Sequence, residues 1–257
     1  MATLLQIKHL NKSFSGVQAI FDLSFEVTQG SITSIIGPNG AGKTTLINMI
    51  SGFFRPSDGD ILFNGESLSG LKPHLVAAKG IARTFQTVEL FGRMTVLENV
   101  MLGRHLKSRK GLVSCAFRLP GVLREEADVK TRSLSLLKTV GIAEYASIKA
   151  ANLPLGEQKL LEVARALAGE PRLLLLDEPA AGLNEVETQK AAEMIMGLSE
   201  RGITVILVEH DMKIVMSISD EILVLNYGAK IAEGPPASIR TNPGVIKAYL
   251  GDEDSYS

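Results

Sequence analysis

Apolar and polar residues alternate through the first stretch of the chain. Phe21, Leu23, Phe25 and Val27 take every second place, and Leu5 and Ile7 do the same upstream. That is the period of a half-buried strand. The run Ser31–Ile36 is short and rich in β-branched residues, as in a strand buried on both faces. A glycine-rich segment follows, then Thr45–Ile50 reads as helical and residues 52–60 as a turn. Ile61-Leu62-Phe63 ahead of Asn64-Gly65 predicts a strand entering a tight hairpin.

Between Gln86 and Asn152 the character becomes helical. Over residues 122–140 the spacing predicts a charged helix with Leu123, Ala127, Leu134, Leu137 and Val140 on one side. From Leu155 onward the order is helix, strand (Leu173–Leu176), helix (Val186–Arg201), strand (Ile203–Val208), helix (Met212–Ile218) and strand (Glu221–Leu225). Strands alternating with helices imply an α/β fold with a parallel sheet covered on both faces.

Composition narrows the function. The chain has 257 residues, 45% hydrophobic and 21% charged, enough for one α/β unit with a smaller attached lobe. Its 27 basic and 28 acidic residues leave a net charge of −1, which argues against a dedicated nucleic-acid binder. The stretch Arg104–Arg124 is basic and lacks any acidic residue; a solvated loop and a contact surface for a partner or lipid headgroups both fit it. Cys115 is the only cysteine; an internal disulfide and a cysteine-based metal cluster are excluded, and Cys115 itself reads as a small apolar residue. No apolar run approaches the ~18–20 residues of a membrane helix, and Met1–Phe14 does not resemble a signal peptide. An intracellular chain is expected, one that a membrane partner could still recruit.

The chemistry starts at Gly37-Pro38-Asn39-Gly40-Ala41-Gly42-Lys43-Thr44, which satisfies G-x-x-x-x-G-K-[ST] in full. A strand precedes it and a helix follows, as this phosphate loop requires. Its glycines let backbone N–H groups curl around a phosphate with no Cβ in the way, and the following helix adds its positive end. Lys43 is expected to reach the β- and γ-phosphates, and the Thr44 hydroxyl to ligate Mg²⁺. Thr45 belongs to the same nucleotide-binding set.

A second constellation closes the apolar run Leu173–Leu176. Asp177 and Glu178 stand where ligands bind in open α/β sheets, beyond the carboxyl ends of the strands. Asp177 suits a direct or second-sphere Mg²⁺ role. Glu178 is placed to polarise a water for in-line attack on the γ-phosphate.

In this order and spacing the motifs resemble the ATP-binding cassette family over nearly the whole chain. Thr84-Phe85-Gln86 is similar to the Q-loop, whose glutamine contacts Mg²⁺ and the attacking water and senses the membrane partner. Leu153-Pro154-Leu155-Gly156-Glu157-Gln158 resembles the signature LSGGQ and opens its helix. Ala181-Gly182-Leu183-Asn184 matches the D-loop, His210 the switch histidine, and Phe14 the aromatic that stacks on adenine. The resemblance implies a P-loop NTPase cassette with a parallel core sheet, an N-terminal antiparallel β subdomain and a helical subdomain. The expected boundaries are a nucleotide-binding core of residues 1–86 and 153–230, a helical subdomain of 87–152 and a C-terminal tail of 231–257.

The same resemblance implies ATP and Mg²⁺ as ligands, with Glu178, His210 and Gln86 catalytic. It implies nucleotide contacts from Phe14, the loop from Gly37 to Thr45, Gly156 and Glu157, and metal contacts from Thr44, Gln86 and Asp177. Two cassettes pair head to tail, each ATP lying between one phosphate loop and the partner's signature. Pro154 and Glu157 depart from LSGGQ, which points to a non-identical second cassette.

Within the family, Gly80–Thr87, Met94–Val100, Glu209–Met212 and Asn242–Gly251 are most similar to the longer ATPase subunit of branched-chain amino-acid importers. Importers for urea, amides or other amino acids and a lipopolysaccharide-type exporter are the alternatives. The expected partners are integral membrane permease subunits and, indirectly, a solute-binding protein, with the chain held peripherally at the cytoplasmic face of the membrane. Residues Thr87–Gly103 are expected to meet the permease, with Leu97 and Glu98 as contacts.

Overall fold

A computed structural model describes residues 2–85, 89–104 and 120–250. Gln86, Thr87, Cys115, most of the basic stretch 104–124 and Gly251 lie outside the described residues. The chain opens with β1 (Thr3–Phe14), β2 (Val17–Thr28) and β3 (Ile32–Ile36), followed by α1 (Lys43–Ile50). Then come β4 (Asp58–Phe63), β5 (Glu66–Ser67), α2 (Pro73–Ala78), β6 (Ile81–Arg83), α3 (Val96–Gly103) and α4 (Pro120–Thr139). The second half runs α5 (Leu155–Leu167), β7 (Leu173–Asp177), α6 (Glu185–Glu200), β8 (Thr204–Val208) and α7 (Met212–Ile218). It ends with β9 (Glu221–Asn226), β10 (Ala229–Gly234), α8 (Pro236–Arg240) and α9 (Pro243–Leu250).

The strands form two sheets. One is antiparallel, in the order β2-β1-β4-β5; the other has the order β10-β9-β3-β8-β7-β6. In the second, β9, β3, β8, β7 and β6 run parallel, and β10 adds an antiparallel edge. β3, β7 and β8 are buried at all five positions, which is why their sequences are near-continuous apolar runs. The Asn64-Gly65 turn takes positive φ at both residues, 52° and 79°, the requirement of a two-residue hairpin. β4 begins inside the turn expected over 52–60, because Asp58 and Asp60 pair with Asn11 and Lys8 of β1.

Two large apolar clusters flank the six-stranded sheet. One joins α1 and the antiparallel sheet to one face through Leu46, Ile47, Ile50, Leu175 and Ile206. The other joins α3, α4, α5 and α6 to the opposite face through Val100, Leu137, Leu161, Leu174 and Ile195. α4 keeps Leu137 and Val140 of the expected stripe inward and adds Ser133, while Leu134 is half-buried and Ala127 is exposed; the side chain of Leu123 lies outside the described residues. Leu137 and Val140 carry more apolar surface than Ala127 and set the inward face.

α3 is a capped helix. Thr95 Oγ1 accepts from the Glu98 N–H, and Glu98 Oε2 accepts from the Thr95 N–H at 2.7 Å. Glu98 is therefore engaged in a capping box, and Leu97 is half-buried against the core. Glu98 itself stays exposed. Phe91 and Leu102, 53% and 39% exposed, add apolar surface in the same segment.

Candidate functional site

The phosphate loop begins where β3 ends, and two close approaches shape it. Gly37 has φ 153°, and a Cβ there would lie 2.1 Å from the Leu225 carbonyl oxygen of β9. Gly42 has φ 101°, and a Cβ there would lie 2.7 Å from the Ala19 carbonyl oxygen of β2. Both positions need glycine on conformation and on space. The Gly228 N–H donates to the Ala41 carbonyl at 3.1 Å, tying the loop to the β9–β10 turn. Asn39, Gly40 and Thr44 are exposed and Pro38 and Thr45 half-buried. No side chain caps α1 at Gly42, leaving the N–H groups of its first turn for a ligand.

Lys43 folds back over this loop. Its Nζ donates to the Gly37 carbonyl at 2.6 Å and to the Pro38 carbonyl at 3.0 Å. Burial holds its ammonium below the ordinary lysine range, while the carboxylates of Glu178 and Asp177 pull the other way. Lys43, Asp177 and Glu178 thus share one electrostatic site.

Sheet order explains the convergence. β8 lies between β3 and β7, with Ile35 paired to Val208 and Val208 paired to Asp177. The phosphate loop, the residues that follow Val208, and Asp177-Glu178 therefore leave three adjacent parallel strands at one edge. Asp177 is 4% exposed, and its Oδ2 accepts from Arg83 Nη2 at 3.0 Å. Burial pushes its carboxyl up and Arg83 opposes that shift. Arg83 Nη1 also donates to Asn48 Oδ1 of α1 at 2.5 Å, linking β6, β7 and α1.

Glu178 has φ 51°, a left-handed conformation that costs a non-glycine residue ~1–3 kcal/mol. It is held on two sides: its N–H donates to the Val208 carbonyl at 2.9 Å, and its own carbonyl accepts from Lys159 Nζ at 3.0 Å. His210 follows β8 with its ring 65% exposed and Nδ1 3.8 Å from Glu209 Oε2.

Phe14 ends β1 opposite Val17, 39% exposed. It packs edge-on against Phe54 at 5.2 Å, with Lys12 Nζ 4.8 Å from its ring centroid. Ala19, two residues beyond Val17 in β2, backs the phosphate loop at Gly42, so ring and loop both adjoin β2. Pro154 is the N-cap of α5 with φ −58° and ψ 162°, as its ring prefers. Gly156 packs on the Glu187 carboxylate of α6. Glu157 lines a cavity of about 30 Å³ with Pro179 and Leu183, and none of that cavity's lining comes from the phosphate loop. Lys159 and Pro179, in the same lining, lead from that cavity to the Glu178 turn. Asn184 caps α6, accepting from the Glu187 N–H at 3.0 Å.

Several participants were not legible as such. Arg83, Lys159 and Glu209 act through partners far away in the chain. Tyr249 of α9 receives a hydrogen bond from the Gly37 N–H, while burial pushes its hydroxyl up. Among the described residues no three His, Cys, Asp or Glu side chains are grouped to hold a metal. The Thr44 hydroxyl and Asp177 carboxylate are hard oxygen donors, the kind that meets Mg²⁺ arriving with a phosphate ligand.

Residues 20–181 match the family described as ABC transporter, and residues 229–255 match one described as branched-chain amino acid ATP-binding cassette transporter. The high-affinity branched-chain amino acid transport ATP-binding protein BraF of Pseudomonas aeruginosa is 44% identical over 97% of this chain and 98% of its own length. LivG of Escherichia coli, with the same description, is 43% identical over the same shares. A solved nucleotide-free ATP-binding cassette from an ABC transporter superposes with a TM-score of 0.85 at 31% identity, covering 98% of this chain and 100% of that one. A dimeric bacterial ABC transporter cassette superposes with a TM-score of 0.77 at 26% identity, covering 91% and 99%.

Proposed function

The chain belongs to the ATP-binding cassette family of ABC transporters, and from that premise we propose that it is the ATPase subunit of a branched-chain amino-acid importer. The observation that carries the chemistry is the row Ile35–Val208–Asp177 across β3, β8 and β7. It supports one site with a phosphate cradle at one end, two carboxylates at the other and His210 between them.

On this reading Gly37–Thr45 bind the β- and γ-phosphates through backbone N–H groups and Lys43, and the adenine stacks on Phe14. Thr44, Asp177 and Gln86 would hold Mg²⁺, which neutralises phosphate charge when bound. The Glu178 carboxylate orients the attacking water and accepts its proton, and His210 binds the γ-phosphate oxygens. Backbone groups fixed before the nucleotide arrives need little rearrangement as charge builds on the transferring phosphoryl group.

The second half of the site comes from a partner cassette, paired head to tail. The free first-turn N–H groups of α5, beside Gly156, suit a γ-phosphate presented by that partner. Shifting an open–closed equilibrium from 1:99 to 99:1 takes ~5.5 kcal/mol of differential binding, within reach of several charge-assisted hydrogen bonds. Pro154 supplies no hydroxyl or N–H, and Glu157 adds an acid, so the composite site using this signature is the less favourable one and the second cassette is non-identical. Converting Leu153–Glu157 to LSGGQ in the purified complex tests this; unchanged ATP affinity and turnover would count against it.

The permease is expected at a groove of about 530 Å³ lined by Phe53, Val76, Phe85, Phe91 and Leu102. Its apolar wall and its place beside the Q-loop support docking of a cytoplasmic permease helix there. A cytoplasmic-face location follows from that partner. Glu178→Gln tests the catalytic reading. The variant should bind ATP and accumulate as a closed dimer with turnover reduced ~10²–10⁴-fold; normal phosphate release would assign the base elsewhere.

A further inference from the structure

Glu209 is 1% exposed, and an acid that deep needs a reason to be there. Its neighbours supply one. Oε1 accepts from the Ala180 N–H at 2.8 Å, and Oε2 accepts from the His210 N–H at 3.2 Å. A third backbone donor is the Asp211 N–H. Ala180 lies two residues beyond Glu178, on the turn that leaves β7. His210 and Asp211 lie on the turn that leaves β8. One carboxylate therefore staples two loops that side-by-side strands deliver to the same edge. Burial pushes its carboxyl up, and these donors oppose the shift; the Lys159 ammonium is also within electrostatic range.

The staple meets a specific need. Glu178 holds φ 51°, a conformation that costs a non-glycine residue free energy. Its N–H is tied to Val208 and its carbonyl to Lys159, but both anchors lie on its own backbone. Glu209 supplies the next tie along the turn and shares it with the histidine loop. We propose that Glu209 is a positioning residue for ATP hydrolysis, locking the Glu178 turn and the His210 loop into one unit. This rests on the roles given above to Glu178 and His210.

A carboxylate suits this task better than its amide. Ionised, it only accepts, and it has oxygens for both loops. Glutamine keeps one acceptor oxygen and turns an NH₂ donor toward the N–H groups of the other loop. Glu209→Gln should therefore release one loop while leaving the phosphate loop untouched. A misplacement of about 1 Å at a reacting group costs up to ~10²-fold in rate.

The experiment uses the complete transporter complex, carrying wild type, Glu209→Gln, Glu209→Ala, His210→Ala and the Glu209→Gln/His210→Ala double variant. Turnover, ATP affinity and amide hydrogen exchange over residues 178–182 and 209–212 are read together. Glu209→Gln should lower kcat ~10–100-fold with ATP affinity within twofold of wild type. Exchange in both loops should rise together, and the double variant should be no slower than His210→Ala alone. Wild-type kcat in Glu209→Gln, or a loss of kcat matched by loss of ATP affinity, would overturn the inference. Should Glu209→Gln not fold, the inference stands or falls on Glu209→Ala and on whether the wild-type amides of Ala180 and His210 are co-protected. A wild-type complex without ATP turnover would overturn the functional reading itself; active wild type, inactive Glu178→Gln and fully active Glu209→Gln would overturn the staple alone.

Discussion

The carboxylate of Asp177 and the guanidinium of Arg83 meet at 3.0 Å with neither side chain more than 8% exposed. The pair joins the edge strand β6 to the strand that ends in Asp177, ahead of Glu178. Burying both charges is expensive, and removing one partner of such a pair costs ~3–5 kcal/mol. Arg83→Met should lower the unfolding free energy of the nucleotide-free protein by about that amount. Adding Asp177→Asn should recover part of it. Urea unfolding at pH 7 measures both; equal stability of wild type and Arg83→Met would remove the pair from the account.

Glu162 of α5 offers a pH test away from the nucleotide. It is 4% exposed and accepts from the Phe85 N–H at 3.1 Å. Burial pushes its carboxyl up, with Arg165 and Lys159 only partly offsetting this. A carboxyl raised in the folded state favours folding while protonated, and that contribution is lost as pH rises through its folded value. At neutral pH the ionised group therefore costs stability. Glu162→Gln should be more stable than wild type at pH 7.5, and the advantage should vanish below the ordinary glutamate range near ~4.3. Denaturant midpoints at pH 7.5 and pH 4 decide it.

Asn99 is fully buried and holds the segment that presents Phe91. Its Oδ1 accepts from the Phe91 N–H at 3.0 Å, and its Nδ2 donates to the carbonyls of Phe91 and Thr95 at 3.1 and 2.9 Å. Asn99→Ala leaves buried backbone groups unpaired, at ~1–3 kcal/mol. Phe91→Arg keeps that scaffold but places a second cation near Arg165, which sits 5.9 Å from the Phe91 ring. Phe91→Arg should fold and bind ATP normally yet co-purify poorly with membrane subunits. Normal assembly would move the docking site elsewhere.

Lys43 carries a different signature of function. Its ammonium is partly desolvated and rests on two loop carbonyls that it would leave for phosphate. Lys43→Met should weaken ATP binding ~100-fold, the equivalent of ~2.7 kcal/mol from charge-assisted hydrogen bonds. Because it also removes a costly buried charge, the thermal midpoint should not fall. Nucleotide titration and a melting curve on one sample separate these effects.

How far the sequence spoke depended on distance along the chain. The places of Gly37–Thr44, Asp177-Glu178 and His210 at strand ends were legible because each follows an apolar run that must be a strand. The clamps around them were not. Arg83 meets Asp177 across 94 positions and Glu209 meets Ala180 across 29, and no local period encodes such pairs. Ala127 was misplaced because the inward face of a helix follows its largest apolar side chains rather than every apolar one.

The proposed role is ATP hydrolysis that drives import of branched-chain amino acids. Its most direct test is the ATPase rate of the complex, purified with its own membrane subunits and reconstituted with its solute-binding protein. Leucine-, isoleucine- or valine-loaded binding protein should stimulate ATP turnover above the unloaded protein, and Glu178→Gln should abolish the response. Stimulation by urea or an amide but by none of these amino acids would contradict the assignment.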